Sequence, residues 1–166
     1  ISLLALDTEV QITSSQGSSW LPLIDIFAGP GKVSFDRNAE IVTGFRFRTR
    51  NESEGSGFHR VMRPQGVAIA ILNMAAWVKV GQDGTIENIR LSCGPAGPKP
   101  FRAVKTEAYL TKKDWSDEEL SKTVSILSKE VSLRTSKHRA TKEYREQLLP
   151  VLLKQVMIKA LKRAAN

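Results

Sequence analysis

Phe58-His59-Arg60-Val61-Met62-Arg63-Pro64-Gln65-Gly66-Val67-Ala68-Ile69-Ala70-Ile71-Leu72-Asn73-Met74-Ala75-Ala76-Trp77-Val78 is the stretch from which the fold is read. Gly57–Met62 and the long apolar run 67–80 have strand composition, and Pro64-Gln65-Gly66 between them is a turn. Asp83-Gly84 then gives a short hairpin signal, and Ile86–Cys93 pairs back on the run before it. A three-stranded antiparallel sheet results. Gly94-Pro95-Ala96-Gly97-Pro98-Lys99-Pro100 closes it as an extended loop.

Past Pro100 the pattern turns helical. Phe101–Leu110 reads as a short helix, and Ser116-Asp117-Glu118-Glu119 is a capping box. Behind that box Leu120, Val124, Leu127 and Val131 follow the spacing of one helix face. The last helix is expected from about Lys137 to Ala164, kinked or divided at Pro150. Basic residues crowd its final turn, where they suit the negative end of the helix dipole.

Upstream, Ile1–Leu6 reads as the end of a helix and Glu9–Thr13 as a strand, with a turn over 14–19. Trp20-Leu21-Pro22-Leu23 is an edge segment, because Pro22 has no N–H for a ladder. One helical turn over Leu23–Phe27 precedes the breaker Gly29-Pro30-Gly31. Glu40–Arg48 alternates, with Ile41, Thr43, Phe45 and Phe47 expected on one side and Val42, Gly44, Arg46 and Arg48 on the other. Asn51–Gly57, polar and glycine-bearing, is the best internal boundary. The fold class is therefore α+β: a small unit over 1–52, then a three-stranded antiparallel sheet packed on a helical cluster over 53–166. No internal repeat is visible.

Composition narrows the function. The 166 residues are 41% hydrophobic and 25% charged, as in ordinary globular proteins. A single cysteine, Cys93, excludes an intramolecular disulfide and any all-cysteine metal or iron–sulfur site in this chain. The longest apolar run, 67–78, is interrupted by Asn73 and falls short of the roughly 20 residues of a membrane-spanning helix. The chain opens on Ile1 with no basic region ahead of its apolar residues, unlike a secretory signal. The expectation is a chain that starts inside a fold, of cytoplasmic origin by elimination.

The net charge of +8 is uneven: residues 1–100 carry 10 basic and 9 acidic side chains, and residues 101–166 carry 15 and 8. Clustered lysine and arginine make nucleic-acid binding a legitimate alternative. Against it, the cations are interleaved with acids at helical spacing, as in Glu119 with Lys122 and Lys142 with Glu146, which is how a solvated helix face is built. No RNA-binding aromatic motif or zinc finger is present. No nucleic acid partner is expected.

Local chemistry is sparse. Around Gly29-Pro30-Gly31-Lys32 a phosphate loop fails twice, since Ile26 takes the first glycine position and Val33 the hydroxyl position. His59 and His138 are too far apart to argue for a metal site, and neither has a nearby nucleophile. Cys93, at the end of an apolar strand, reads as a buried inert thiol. Trp20, Trp77 and Trp115 are dispersed and serve packing. No self-sufficient catalytic constellation is present.

The segments taken together resemble a known family. Phe58–Ala70 with its apolar continuation is similar to the first strands of the C-terminal domain in flavoprotein (medium) subunits of molybdenum hydroxylases, of the xanthine dehydrogenase and aerobic carbon monoxide dehydrogenase type. Cys93–Ala103 resembles that family's strand end and proline-rich loop. His138-Arg139-Ala140-Thr141-Lys142-Glu143-Tyr144-Arg145 resembles the opening of its final helix. Leu4–Val10, Phe27–Gly31 and Glu40–Val42 are similar to the second half of its FAD-binding domain, so 1–52 would be a remnant of that subdomain.

The resemblance implies electron transfer. A large subunit carries the molybdenum cofactor and a small one carries iron–sulfur clusters. FAD on the medium subunit takes their electrons and passes them to an acceptor such as NAD. Carried over by position, Val42 packs against the flavin ring, His59 and Arg60 lie near the strand that passes it, and Arg63, Pro64, Gln65 and Gly66 form the loop on its acceptor side. The family often has a lysine near His59, a departure that bears on polar tuning of the ring. Its glycine-rich pyrophosphate loops precede the region where this chain begins, so the piece alone is expected to bind FAD weakly or not at all. The alternative of another class is a cofactor-free interaction module of the same fold.

Overall fold

A computed structural model describes residues 1–63 and 68–166. In chain order the elements are α1 (Ser2–Ala5), β1 (Glu9–Ser14), β2 (Gly17–Pro22), a 3-10 turn (Leu23–Ile26), β3 (Phe27–Gly29), β4 (Lys32–Val33) and β5 (Ile41–Arg46). They continue with β6 (Glu54–Met62), β7 (Ala70–Val80), β8 (Ile86–Gly94), β9 (Phe101–Arg102), α2 (Val104–Leu110), α3 (Asp117–Glu130) and α4 (Lys142–Ala164).

The main sheet is an antiparallel meander in the order β6-β7-β8-β9. Cross-strand partners share a face. Gly57 pairs with Ala76 and His59 with Met74, while Val78 pairs with Ile89 and Ala76 with Leu91, so these residues form one face. Leu152, Leu153, Val156, Met157 and Ala160 of α4 close over it, and all five are buried. The α+β class and the expected three strands stand, with β9 as a short fourth.

Several details differ from expectation for identifiable reasons. Phe101 and Arg102 pair with Cys93 and Ser92 rather than opening the helix. β6 starts at Glu54, inside the stretch expected as a linker. Its glycines are there for contact, since a Cβ on Gly55 would fall on the carbonyl oxygen of Ala160 and one on Gly57 on that of Val156. α4 starts at Lys142, because Ser136 and Ala140 form a bridged turn ahead of it and Thr141 caps the helix by accepting from the Tyr144 N–H. The helix then runs through Pro150 undivided: the missing N–H removes one backbone bond while the buried faces on both sides hold.

Besides a two-stranded β3-β4 ribbon, a small three-stranded sheet has the order β2-β1-β5 and covers a second core of Leu4, Val10, Ile12, Leu23 and Ile26. A bulge breaks the expected alternation of β5. Ile12 pairs with Val42 but Gln11 with Gly44, which leaves Thr43 as the extra residue. Val42 and Phe45 therefore share the Val10 face, and Ile41 is turned to the other side, 65% exposed. The two sheets meet through α1, which packs on β7 and β8, and through the Ser92 hydroxyl, which donates to the Ile1 carbonyl at 2.7 Å. Among the described residues no helix is long and apolar enough to cross a membrane.

Candidate functional site

Strand alternation decides what each predicted residue of β6 does. His59 lies on the α4 face, where its Nδ1 is 3.1 Å from the Lys159 Nζ. The ammonium donates, so the imidazole is neutral and carries its proton on Nε2. Burial, and then the Lys159 charge, hold its pKa below the ordinary value. Arg60 is its sequence neighbour and so faces the other way. It stands opposite Asn73, with Nη1 3.5 Å from the Ala68 carbonyl. The structure thus separates His59 and Arg60 onto two faces of one strand.

Val42 is half-buried in the small sheet. Its strand β5 packs on β1, whereas β6 packs on β7 and α4, so Val42 belongs to a different packing unit from His59 and Arg60. Arg63 reaches across to α4's leading turn, where its Nη2 is 3.5 Å from the Arg139 carbonyl. Pro64, Gln65 and Gly66, expected as the acceptor-side loop, lie outside the described residues.

The sheet face opposite α4 is the better candidate surface. There Phe58 pairs with Ala75 and Arg60 with Asn73, giving an aromatic ring, a small residue, a guanidinium and an amide side by side. Phe58 is 41% exposed. The Oδ1 of Asn73 is buried without a hydrogen-bond partner, a costly state for an acceptor unless a donor is supplied. Beside it a cleft of about 290 Å³ is lined by Ile1, Asn73 and the Gly94–Pro100 loop.

Further along the same face, a second cleft of about 550 Å³ lies between the turn after α1 and β7–β8. Arg90 stacks on Trp77 at 4.2 Å there and pairs with Asp7 at 3.5 Å. Asp7 also reaches Arg102 at 3.6 Å, whose Nε binds Glu107 at 2.6 Å. Glu54 at the cleft's end is buried and accepts from Arg48 and the Asn51 N–H. Sequence reasoning missed both clefts. Asn73 carried the one available signal, as the lone amide in an apolar run.

Around Asn73 this face offers the exposed Phe58 ring, the Arg60 guanidinium and one unfilled acceptor. Those features fit the ring end of a flat heteroaromatic group. The rest of such a cofactor is not matched here: Gly31 lies in the β3–β4 turn and Gly84 in the β7–β8 turn, and neither opens a helix that would receive a pyrophosphate. Among the described residues, His59 is tied to Lys159 and burial pushes the Cys93 thiol up to about 12. Among the described residues no group of three metal-ligating side chains gathers.

Residues 57–160 match the CO dehydrogenase flavoprotein C-terminal domain, and the chain belongs to that family. It is 28% identical over 164 residues to the xanthine dehydrogenase FAD-binding subunit of Escherichia coli O157:H7, covering 98% of this chain and 55% of that protein. It is 27% identical over 152 residues to the glyceraldehyde dehydrogenase medium chain of Sulfolobus acidocaldarius, covering 92% and 52%. The chain therefore spans about half the length of the curated relatives it matches.

Among solved structures, a chain of CO dehydrogenase from Oligotropha carboxidovorans superimposes with a TM-score of 0.87 at 18% identity, covering 98% of this chain and 56% of that one. A chain of quinoline 2-oxidoreductase from Pseudomonas putida 86 gives 0.84 at 19%, covering 99% and 56%. At these identities the likeness is one of fold.

Proposed function

We propose that this chain is the C-terminal portion of the flavoprotein (medium) subunit of a molybdenum-dependent hydroxylase or dehydrogenase, and forms one wall of its FAD site. The observation that carries the proposal is the family match over 57–160, coinciding with a sheet face on which Phe58, Arg60 and the unpartnered Asn73 Oδ1 stand together. Residues 1–52 would complete the FAD-binding domain, and 53–166 would form the buttressing domain. Partners are the large molybdenum-binding and small iron–sulfur subunits, with NAD or another molecule as final acceptor.

FAD, when bound, would supply the redox chemistry. The chain's own residues position it. Arg60 would supply positive charge beside the flavin, Asn73 Oδ1 would offer it an acceptor, and Phe58 with Ala75 would help exclude water. Val42 gives apolar support from the small sheet. His59 acts from behind as a positioning residue, fixing β6 against α4 through Lys159. Arg63 with Pro64, Gln65 and Gly66 guards the acceptor side. Alone, the chain binds FAD weakly or not at all.

The test is the flavin content of the protein purified together with its partner subunits. Bound flavin in stoichiometric amount, with Arg60→Ala shifting its reduction potential downward, supports the proposal. A folded, assembled and colourless protein overturns it in favour of a cofactor-free module.

A further inference from the structure

α4 carries apolar side chains on two sides. Leu149, Leu153, Val156 and Ala160 are buried on the side that covers the sheet. On the side away from them stand Tyr144, Val151 and Ile158, which are 43%, 50% and 45% exposed. Seven residues are close to two helical turns, so these three fall in one row, about 21 Å from first to last. Every other large apolar side chain of the helix is buried or half-buried. Exposed apolar residues scattered singly are ordinary on a protein surface. A row in helical register is not scattered, and the core beneath α4 makes no use of it.

The borders of the row are polar and positive. Gln147 and Lys154 flank it on one side, Gln155 and Lys162 on the other, and all four are exposed. From Gln147 to the final residue the chain has Lys154, Lys159, Lys162 and Arg163 and no acidic residue. One carboxylate approaches from outside, that of Asp117 at the start of α3, 2.7 Å from the Lys154 Nζ. Both partners of that pair are well exposed, so it is readily exchanged for another. Lys159 and Arg163 donate to backbone carbonyls of β6 rather than to acids.

A seven-residue apolar repeat with charged borders is the surface that one helix offers another. We propose that the outer row of α4 is a docking surface for an amphipathic helix with acidic flanks, supplied by another protein chain. The charges select this occupant. A second copy of the chain would bring the same excess of cations to the contact. A lipid surface calls for a broad apolar face, whereas Gln147 and Gln155 keep this one narrow. An acidic helix lays its apolar seam along the row and sets carboxylates beside Lys154 and Lys162. The inference is independent of the flavin assignment, since α4's outer side is not part of that surface.

The test uses the 166-residue chain and two fluorescently labelled synthetic helices. Each is about three heptads long with leucine in the seam, one flanked by glutamate and the other by lysine. Fluorescence anisotropy should show saturable binding of the glutamate peptide, about tenfold or more tighter than the lysine peptide. The Val151→Ser/Ile158→Ser double variant should weaken it about tenfold or more. Lys162→Glu should weaken it about threefold, by less as salt is raised. All three positions are exposed, so unchanged circular dichroism checks that the variants fold. No saturable binding, equal affinity for the two peptides, or an unchanged affinity in the double variant overturns the proposal. So does self-association of the chain in sedimentation velocity, or uptake on phosphatidylserine vesicles, where the double variant abolishes it. The first result gives the row to a second copy and the other to a membrane.

Discussion

Gly57 of β6 and Val156 of α4 meet backbone to backbone, with no room for a single carbon between them. The same holds one repeat away for Gly55 and Ala160. The helix is therefore seated by absent side chains, and the rest of the architecture depends on that closeness.

Gly57→Ala, and separately Gly55→Ala, should each destabilise the chain by about 3 kcal/mol, because the obstruction is rigid backbone rather than a movable side chain. Gly97→Ala is the control. Its new Cβ would stand 3.7 Å from the Lys99 carbonyl, an ordinary contact, and should change stability by less than about 0.5 kcal/mol. Urea midpoints measured at constant slope would show the contrast; equal effects would mean that helix and strand can part.

β6 is an edge strand, and α4 blunts its open side. Lys159 Nζ donates to the Phe58 carbonyl at 3.1 Å, and Arg163 Nη1 to the Ser56 carbonyl at 2.7 Å. These two acceptors are what another strand would otherwise seek. A Lys159→Met/Arg163→Met double variant should self-associate as its concentration rises, followed by sedimentation velocity. A variant that stays monomeric throughout would show the cations to be dispensable there.

His59 makes stability depend on pH in a definite direction. Burial, and then Lys159, lower its folded pKa, so on acidification the unfolded chain takes up the proton first. Its contribution is complete above the unfolded value of about 6.5 and is lost as pH falls through the folded value. Urea midpoints should decline between about pH 7 and pH 5. The decline should be shallower in His59→Gln, and an identical decline would remove His59 as its source.

Cys93 is fully buried, and its thiol is pushed up to about 12 by burial. Disulfide reagents attack thiolates, so the native protein should be inert to an aromatic disulfide reagent at neutral pH and react with one equivalent in denaturant. Rapid native reaction would mean that β8 opens readily at its end.

Strand and helix types were legible wherever a segment buries one face on its own account. Asp83-Gly84 and the apolar run before it sufficed for the β7–β8 hairpin, and the Ser116 cap is used as read, its Oγ accepting from the Glu119 N–H at 3.2 Å. Only half of that capping box forms, because the Glu119 carboxylate takes the Tyr109 hydroxyl at 2.8 Å. Non-local contact accounts for the other differences. Gly55-Ser56-Gly57 has the composition of a linker, and only the approach of a helix a hundred residues later explains it. In β5, pairing with β1 rather than local pattern puts the bulge at Thr43 and turns Ile41 away from Phe45.

The candidate site was less legible for the same reason. Family likeness pointed to β6, but adjacency in sequence grouped His59 with Arg60, whereas the pleat divides them. The isolation of Asn73 Oδ1 and the exposure of Val151 are properties of the assembled molecule. Neither residue type carries them in advance.

One consequence concerns synthesis. The ribosome finishes the meander well before it makes α4, so the apolar row Leu72, Met74, Ala76 and Val78 emerges with no lid of its own. Until that lid is translated, the nascent polypeptide shows a sticky plane to its surroundings, together with an uncapped border strand. Chaperone occupancy should peak in that interval and fall once the final helix clears the exit tunnel.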